Sequence, residues 1–323
     1  FNEGWGQHDT EAYVGRIRAT DPTRLVNNAS GWTDRRVGDV LDVHRYPGPG
    51  MPDLAAAGGA PGGFRAGGDA PTARAAVLGE FGGLGLPLEG HTWVEAGNWG
   101  YQGYTSLDAL GGAYRGLLAQ LHPLIGEGLA AAIYTQTTDV EVEVNGVMTY
   151  DRAVVKLPQG IEADHGRLYG PPPEIRSLVP TSRSEPQTWQ YRTDAPGEGW
   201  QTLADGDEGW QEGPGGFGTR DTPGTQVRTV WDTPDIWVRR GFSLDGVPGD
   251  LWLRIHHDED ARVWINGTLV AELEGYTTGY VLVPLGADAL AALRTGENTL
   301  AVHVSQTGGG QYVDAGLVQV RER

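Results

Sequence analysis

Val77-Leu78-Gly79-Glu80-Phe81-Gly82-Gly83 reads as a short apolar strand that ends on a carboxylate and breaks at glycines, and Phe1-Asn2-Glu3-Gly4-Trp5-Gly6-Gln7 sets a second carboxylate in similar surroundings. In an α/β barrel, side chains at the C-terminal ends of the strands point into one shared cleft. A pair of carboxylates delivered there suits glycosidic-bond chemistry.

Working outward, residues 1–157 alternate between strand-like and helix-like segments. Asp9 and Thr10 can cap a helix whose apolar positions Tyr13, Val14 and Ile17 share a face, and Asp21-Pro22 stops it. Leu25-Val26-Asn27-Asn28 reads as a strand ending in polar residues. Val40-Leu41-Asp42-Val43-His44 reads as another, and the turn-rich Arg45-Tyr46-Pro47-Gly48-Pro49-Gly50 follows it. The Gly/Ala/Pro-rich stretch from Ala55 to Pro71 has few side chains to pack and is expected to be a mobile surface loop. Thr105 or Ser106 can cap a longer helix whose stripe, Leu107, Leu110, Tyr114, Leu117, Leu118 and Leu121, should face a sheet. Leu129–Tyr134 follows as an apolar strand, with Thr135-Gln136-Thr137 at its end.

Pro158, Pro171, Pro172, Pro173 and Pro180 make 158–185 an expected Pro-rich linker. From 186 to 323 the texture is all-β. Trp189-Gln190-Tyr191, Val238 to Phe242, Leu251 to Ile255, Arg262 to Ile265, Thr268 to Val270 and Leu300 to Val304 read as short strands, with Asn266-Gly267 as a tight hairpin turn. The expected fold is α/β plus all-β: the C-terminal part of a (β/α)8 TIM barrel, from the end of strand 4 to strand 8, followed by a jelly-roll β-sandwich.

Composition narrows the function classes. With 24 Lys+Arg against 42 Asp+Glu, the formal net charge of -18 opposes a phosphate backbone and an anionic membrane surface, so nucleic acid and membrane are not expected partners. The chain has no cysteine, which removes disulfides, thiolate nucleophiles and Cys-bound zinc. No stretch approaches the roughly 20 apolar residues needed to span a bilayer. The first residue is Phe and the first motif begins at once, so the chain reads as the C-terminal part of a longer protein.

Taken together, Asn2-Glu3-Gly4-Trp5-Gly6, His44-Arg45-Tyr46-Pro47, Gly79-Glu80-Phe81-Gly82-Gly83 and Glu143-Val144-Asn145-Gly146-Val147-Met148-Thr149-Tyr150-Asp151 resemble glycoside hydrolase family 2, the β-galactosidases, β-glucuronidases and β-mannosidases. The resemblance covers 1–156. It implies Glu3 as acid/base and Glu80 as nucleophile of a retaining exo-β-glycosidase, with a carbohydrate substrate and no cofactor. By the same resemblance Asn2 bonds the sugar 2-hydroxyl, Tyr46 holds the nucleophile and His44 lines the sugar site. Trp5, Trp32, Trp93 and Trp99 are candidates for stacking on a sugar face, with core packing as the competing role of each.

The sequence also departs from that pattern. Glucuronidases of the family carry Asn-x-Lys where this chain has Asn145-Gly146-Val147, so a neutral sugar is expected, as in a β-galactosidase. The earlier barrel strands and the β-domains that usually precede them lie outside this sequence, which makes a truncated fragment the expectation. The alternative is a non-catalytic carbohydrate-binding or scaffold protein. Residues 187–323 resemble galactose-binding-like jelly rolls, in pattern more than in motif, and are expected to buttress rather than to bind.

Three further signals take the plainer reading. His256-His257-Asp258-Glu259-Asp260 reads as a charged turn rather than a metal cluster, because adjacent strand residues point to opposite faces. Gly213 to Gly218 reads as a flexible turn, since no strand-then-helix context or Lys-Ser/Thr accompanies it. Asn28-Ala29-Ser30 and Asn266-Gly267-Thr268 match the glycosylation pattern but locate nothing; a secreted or extracytoplasmic setting fits a glycosidase without being fixed by these residues.

Overall fold

A computed structural model of the chain describes residues 1–52, 74–203 and 208–323. The stretch expected as a mobile loop, Ala55 to Pro71, lies outside the described residues. The chain divides into two compact units, Phe1–Pro173 with Arg323, and Glu174–Glu322. It is a mixed α/β protein in which sheet predominates. No helix among the described residues is long and apolar enough to cross a membrane.

The first unit contains α1 (Thr10–Thr20), β1 (Val40–Arg45), β2 (Ala75–Gly82), β3 (Leu84–Gly85), β4 (Gln102–Gly103), α2 (Leu107–Gly126), β5 (Leu129–Thr135) and α3 (Ile161–Leu168). Strands β1, β2 and β5 form one parallel sheet in that order. Parallel neighbours need a long crossover, and α2 supplies it between β2 and β5. Ser106 caps α2, its hydroxyl accepting the Ala109 N–H at 3.2 Å. The predicted stripe buries Leu110, Tyr114, Leu117, Leu118 and Leu121, while Leu107 stays exposed at the first turn. This face packs on β3 and β5.

Two local expectations differ from what forms. On α1 only Val14 of the apolar trio is buried, and Tyr13 turns outward to meet the rings of Phe1 and His8 edge-on. Leu25 to Asn28 is not a strand. Its backbone is bonded by Asp39 and Phe1 instead of a ladder: the Val26 N–H donates to Asp39 Oδ2 and its carbonyl accepts the Asp39 N–H, each at 2.7 Å, and the Phe1 nitrogen donates to the Asn28 carbonyl at 2.8 Å. With that segment outside the sheet, three parallel strands remain of the four expected among the described residues.

The stretch 158–185, expected as a linker, carries α3 and β6 (Glu174–Val179). Its prolines flank these elements. Pro171 to Pro173 precede β6 and Pro180 follows it, positions where no ladder N–H is required. α3 is tied to α2 by the Arg115–Asp164 ion pair at 3.0 Å and by a Tyr114–His165 contact at 3.1 Å.

In the second unit β6 is followed by β7 (Thr188–Arg192), β8 (Gln211–Pro214), β9 (Phe217–Gly218), β10 (Thr229–Val230), β11 (Asp235–Leu244), β12 (Trp252–Asp258), β13 (Asp260–Ile265), β14 (Thr268–Leu273), β15 (Val281–Pro284), α4 (Ala287–Ala292), β16 (Gly296–Ser305) and β17 (Tyr312–Arg321). One six-stranded sheet runs β10-β9-β17-β12-β15 with β6 on β17; the other runs β14-β13-β16-β11-β7-β8. The alternating residues Leu253, Ile255, Val313, Ala315 and Leu317 of the first sheet and Ile236, Val238, Val263, Ile265, Val302 and Val304 of the second share one core. The β13–β14 turn places Asn266 at φ 49° and Gly267 at φ 84°, the left-handed pair a two-residue hairpin demands.

His256 and His257 lie within β12 and are buried, so the sequence expectation of a charged turn holds only at Glu259, between the end of β12 at Asp258 and the start of β13 at Asp260. His256 packs against the rings of Tyr280 and Tyr312. The glycine-rich Gly213 to Gly218 is likewise more ordered than expected, because Phe217 anchors β9 in the core.

One buried carboxylate makes the second unit's stability depend on pH. Burial pushes the Asp314 carboxyl up to about 6, against the opposing hydrogen bonds from the Tyr280 hydroxyl (2.5 Å) and the Ser182 N–H (2.7 Å). Between the unfolded value near 4 and about 6, the folded state keeps a proton that the unfolded chain has released, so stability falls as pH rises through that window. Asp314→Asn, which retains an acceptor for both donors, is expected to gain about 2 kcal/mol on the wild type between pH 4.5 and 7. Urea unfolding at the two pH values measures this difference.

Candidate active site

The site forms at the C-terminal ends of β1 and β2. In register, Val43 of β1 faces Leu78 of β2, but the next pair is His44 with Glu80, leaving Gly79 as an extra residue. On its other edge β2 slips against β5 between Leu78 and Phe81. A bulge of this kind re-aims the side chain beside it. Here it turns Glu80 toward His44, whose Nδ1 lies 3.3 Å from Glu80 Oε2.

Glu3 arrives from a separate segment. It precedes a single 3₁₀ turn, Gly4–Gly6, and its own backbone has φ 61° and ψ 156°, a conformation costly for a residue with a side chain. Gly4 is required beside it, since a Cβ there would lie 1.9 Å from the Trp32 carbonyl oxygen. The Glu3 N–H donates to Ser30 Oγ at 3.3 Å, and Trp5 Nε1 donates to Glu3 Oε2 at 3.0 Å. One carboxylate oxygen of Glu3, one of Glu80 and a ring nitrogen of His44 all lie within 4.8 Å of one another.

Tyr46 completes the contacts of Glu80, its hydroxyl donating to Oε2 at 2.5 Å. Burial, and then the bond to the Glu80 carboxylate, holds the Tyr46 phenol well above its ordinary range, so it stays a donor. Tyr101 stacks on Tyr46 with ring centroids 3.7 Å apart and planes 5° apart. Burial raises the Tyr101 phenol too, followed by the charges of Glu143, Glu80 and Glu3. Trp99 stands edge-on to Tyr101 at 5.5 Å, fixed through backbone bonds to Val142 and Val144.

Of the residues singled out in sequence, Glu3, Trp5, His44, Tyr46, Glu80 and Trp99 are thus gathered in this one region. Asn2 is exposed and makes no hydrogen bond among the described residues. The His44 side chain is 7% exposed, with Nδ1 against Glu80 Oε2. Trp32 packs edge-on against it at 5.8 Å, whereas Trp93 packs on Tyr150. Exposed aromatic surface at Trp5, Trp32, Trp99 and Tyr101 remains available to a ligand. Sequence reasoning missed Asp42 and Tyr101. Asp42 had a readable signal, since it stands two residues before His44 on β1 and period-2 alternation puts both on one face.

Chemically, the arrangement offers two carboxylates across a narrow gap, a phenol and an indole that hold one oxygen of each, and an aromatic rim. The same oxygens and the His44 nitrogen could also span a divalent cation. The Glu80 oxygen nearest His44 is already occupied by the Tyr46 hydroxyl.

No protein-family model matches the chain, and no curated protein matches it. Among solved structures, a glycosyl hydrolase family 2 member from Bacteroides cellulosilyticus DSM 14838 is 18% identical with a TM-score of 0.33, the overlay covering 44% of this chain and 20% of that one. A beta-glycosidase from Bacteroides vulgatus is 17% identical with a TM-score of 0.29 over 45% and 20%. A β-glucuronidase from Ruminococcus gnavus in complex with uronic isofagomine is 14% identical with a TM-score of 0.32 over 46% and 29%. The chain spans less than a third of the length of each of these proteins.

Proposed function

We propose that the first unit carries the catalytic carboxylate pair of a retaining β-glycosidase acting on terminal, neutral, β-linked sugars in the manner of a β-galactosidase. The observation that supports this reading is the approach of Glu3 and Glu80 within 4.8 Å. Retaining enzymes hold their two carboxyl groups about 5–5.5 Å apart, whereas inverting ones leave about 6.5–9.5 Å for a water. In this reading Glu80 attacks the anomeric carbon while Glu3 protonates the leaving oxygen. A water then enters, Glu3 takes its proton, and the glycosyl–Glu80 ester is hydrolysed.

The surroundings suit these roles. Tyr46 fixes one oxygen of Glu80, and among the described residues the other accepts no hydrogen bond, which suits it for attack. Glu3, held by the Trp5 indole at the exposed rim, stands where a leaving group and then water can reach it. Val147 in place of a cation supports a neutral sugar. The β1-β2-β5 sheet is, in this reading, part of a barrel, and the second unit has a galactose-binding-like jelly-roll fold.

A panel of nitrophenyl β-galactoside, β-glucoside, β-mannoside, α-arabinoside and β-glucuronide tests the proposal on this protein. Turnover is expected with at least one neutral glycoside and to exceed that of the glucuronide. The exposed aromatic rim would also serve a non-catalytic carbohydrate binder. Binding of these sugars without any turnover would favour that second reading.

A further inference from the structure

We infer that Asp42 is a positioning residue of this site, fixing the ring of His44 and through it the carboxylate of Glu80. The inference rests on the glycosidase reading and extends it to a group that touches no substrate.

Asp42 and His44 project from the same face of β1, two residues apart. The Asp42 side chain is 3% exposed, and a carboxylate in that setting is costly unless its oxygens are matched by donors. Oδ2 accepts from Asn27 Nδ2 at 2.6 Å, and Oδ1 accepts from the Gly31 N–H at 3.1 Å. An ionised carboxylate has about four acceptor sites, so capacity remains. It faces His44 Nε2, which lies 3.9 Å from Oδ1 and is itself buried with no hydrogen-bond partner among the described residues.

The other nitrogen of the same ring is 3.3 Å from Glu80 Oε2. One rigid imidazole therefore stands between a buried carboxylate and the proposed nucleophile. Two glycines keep this line clear. A Cβ on the bulged Gly79 would fall 2.1 Å from Asp42 Oδ1, and a Cβ on Gly31 would press the His44 ring at 3.1 Å. The edge of Trp32 closes another side of the ring. At 3.9 Å the Asp42–His44 contact is longer than a hydrogen bond, so the role inferred for Asp42 requires it to tighten when substrate completes the site, as catalytic contacts often do.

The bland role for Asp42 is to anchor the loop that carries Asn27 and Gly31. A double-mutant cycle separates the two. Asp42→Asn, His44→Ala and the double variant are made in the intact protein, and kcat and KM are measured on the best nitrophenyl glycoside. Rates are expressed per active site, counted by titration with an activated 2-deoxy-2-fluoro β-glycoside, so that misfolded protein does not contribute. Asp42→Asn is expected to lower kcat by about tenfold to a hundredfold with KM within about twofold. In the His44→Ala background the same change is expected to have no further effect on kcat.

An equal loss with and without His44, a loss confined to KM, or no loss at all would overturn the inference. Should Asp42→Asn yield no titratable sites, Asp42→Ser, which keeps an acceptor for the Gly31 N–H, is put through the same cycle. The titrant distinguishes the two levels of failure. Label on Glu80 with an additive cycle removes only the role of Asp42, while an unlabelled Glu80 removes the glycosidase reading beneath it.

Discussion

Glu80→Gln is expected to lower turnover of an aryl β-glycoside by about 10⁴-fold or more. The amide is nearly isosteric with the carboxylate, so it keeps the bulged backbone at Gly79 and still offers an oxygen to the Tyr46 hydroxyl. What it loses is the anionic oxygen that forms the bond to the anomeric carbon. KM should change far less than kcat, because the loss is felt in the transition state. Glu80→Gly with added azide extends the test, since a small anion entering the vacated space should yield a glycosyl azide of inverted configuration. Near-normal turnover by Glu80→Gln would dismiss Glu80 as the nucleophile.

The second large effect concerns folding. Lys156 Nζ lies 2.7 and 2.8 Å from the two oxygens of Asp139, with side chains 0% and 1% exposed, and also donates to the Val144 carbonyl at 3.0 Å. Asp139 Oδ1 accepts the Gly146 N–H as well. The pair staples 136–156, the segment that holds Glu143 and whose Val142 and Val144 fix Trp99. Burial moves both partners toward neutrality, Asp139 upward and Lys156 downward, with their mutual attraction opposing it.

A pair of this kind adds little net stability, yet removing one member strands a charge in the interior at a cost of about 3–5 kcal/mol. Lys156→Met should therefore lower the melting temperature of the unit that contains it by roughly 10 °C. Asp139→Leu combined with Lys156→Met should recover most of that loss. Calorimetry on the single and double variants checks both. A double variant as unstable as the sum of the singles would show that the segment depends on the charges themselves.

How much of this could be read beforehand follows from the range of the forces involved. The strands at Val40, Ala76 and Leu129, the capped helix from Ser106 and the Asn266-Gly267 hairpin depend on local periodicity and turn chemistry, and all five formed. Leu25 to Asn28 had the composition of a strand, but its donors and acceptors were claimed by Asp39 and Phe1, a long-range competition invisible in a window of four residues. β6 was hidden by the prolines that flank it, and its pairing with β17 spans well over a hundred residues.

At the site, residue types carried the meeting of Glu3 and Glu80 but not its geometry. The bulge at Gly79 is one residue of register between strands, and no local pattern encodes it. Tyr101 was equally out of reach, since its stacking on Tyr46 joins two loops far apart in sequence. Asn2, whose expected partner is a sugar hydroxyl, lies exposed with no hydrogen bond among the described residues.

The most direct measurement is to inactivate the protein with an activated 2-deoxy-2-fluoro β-glycoside and map the modified peptide by mass spectrometry. The fluorine slows both steps and the good leaving group restores only the first, so the glycosyl–enzyme ester accumulates. Under double displacement through Glu80, one sugar per chain is expected, attached to the Glu80 carboxylate and absent once Glu80 is replaced. A sugar carried by any other side chain, or steady turnover with Glu80 unmodified, would contradict it.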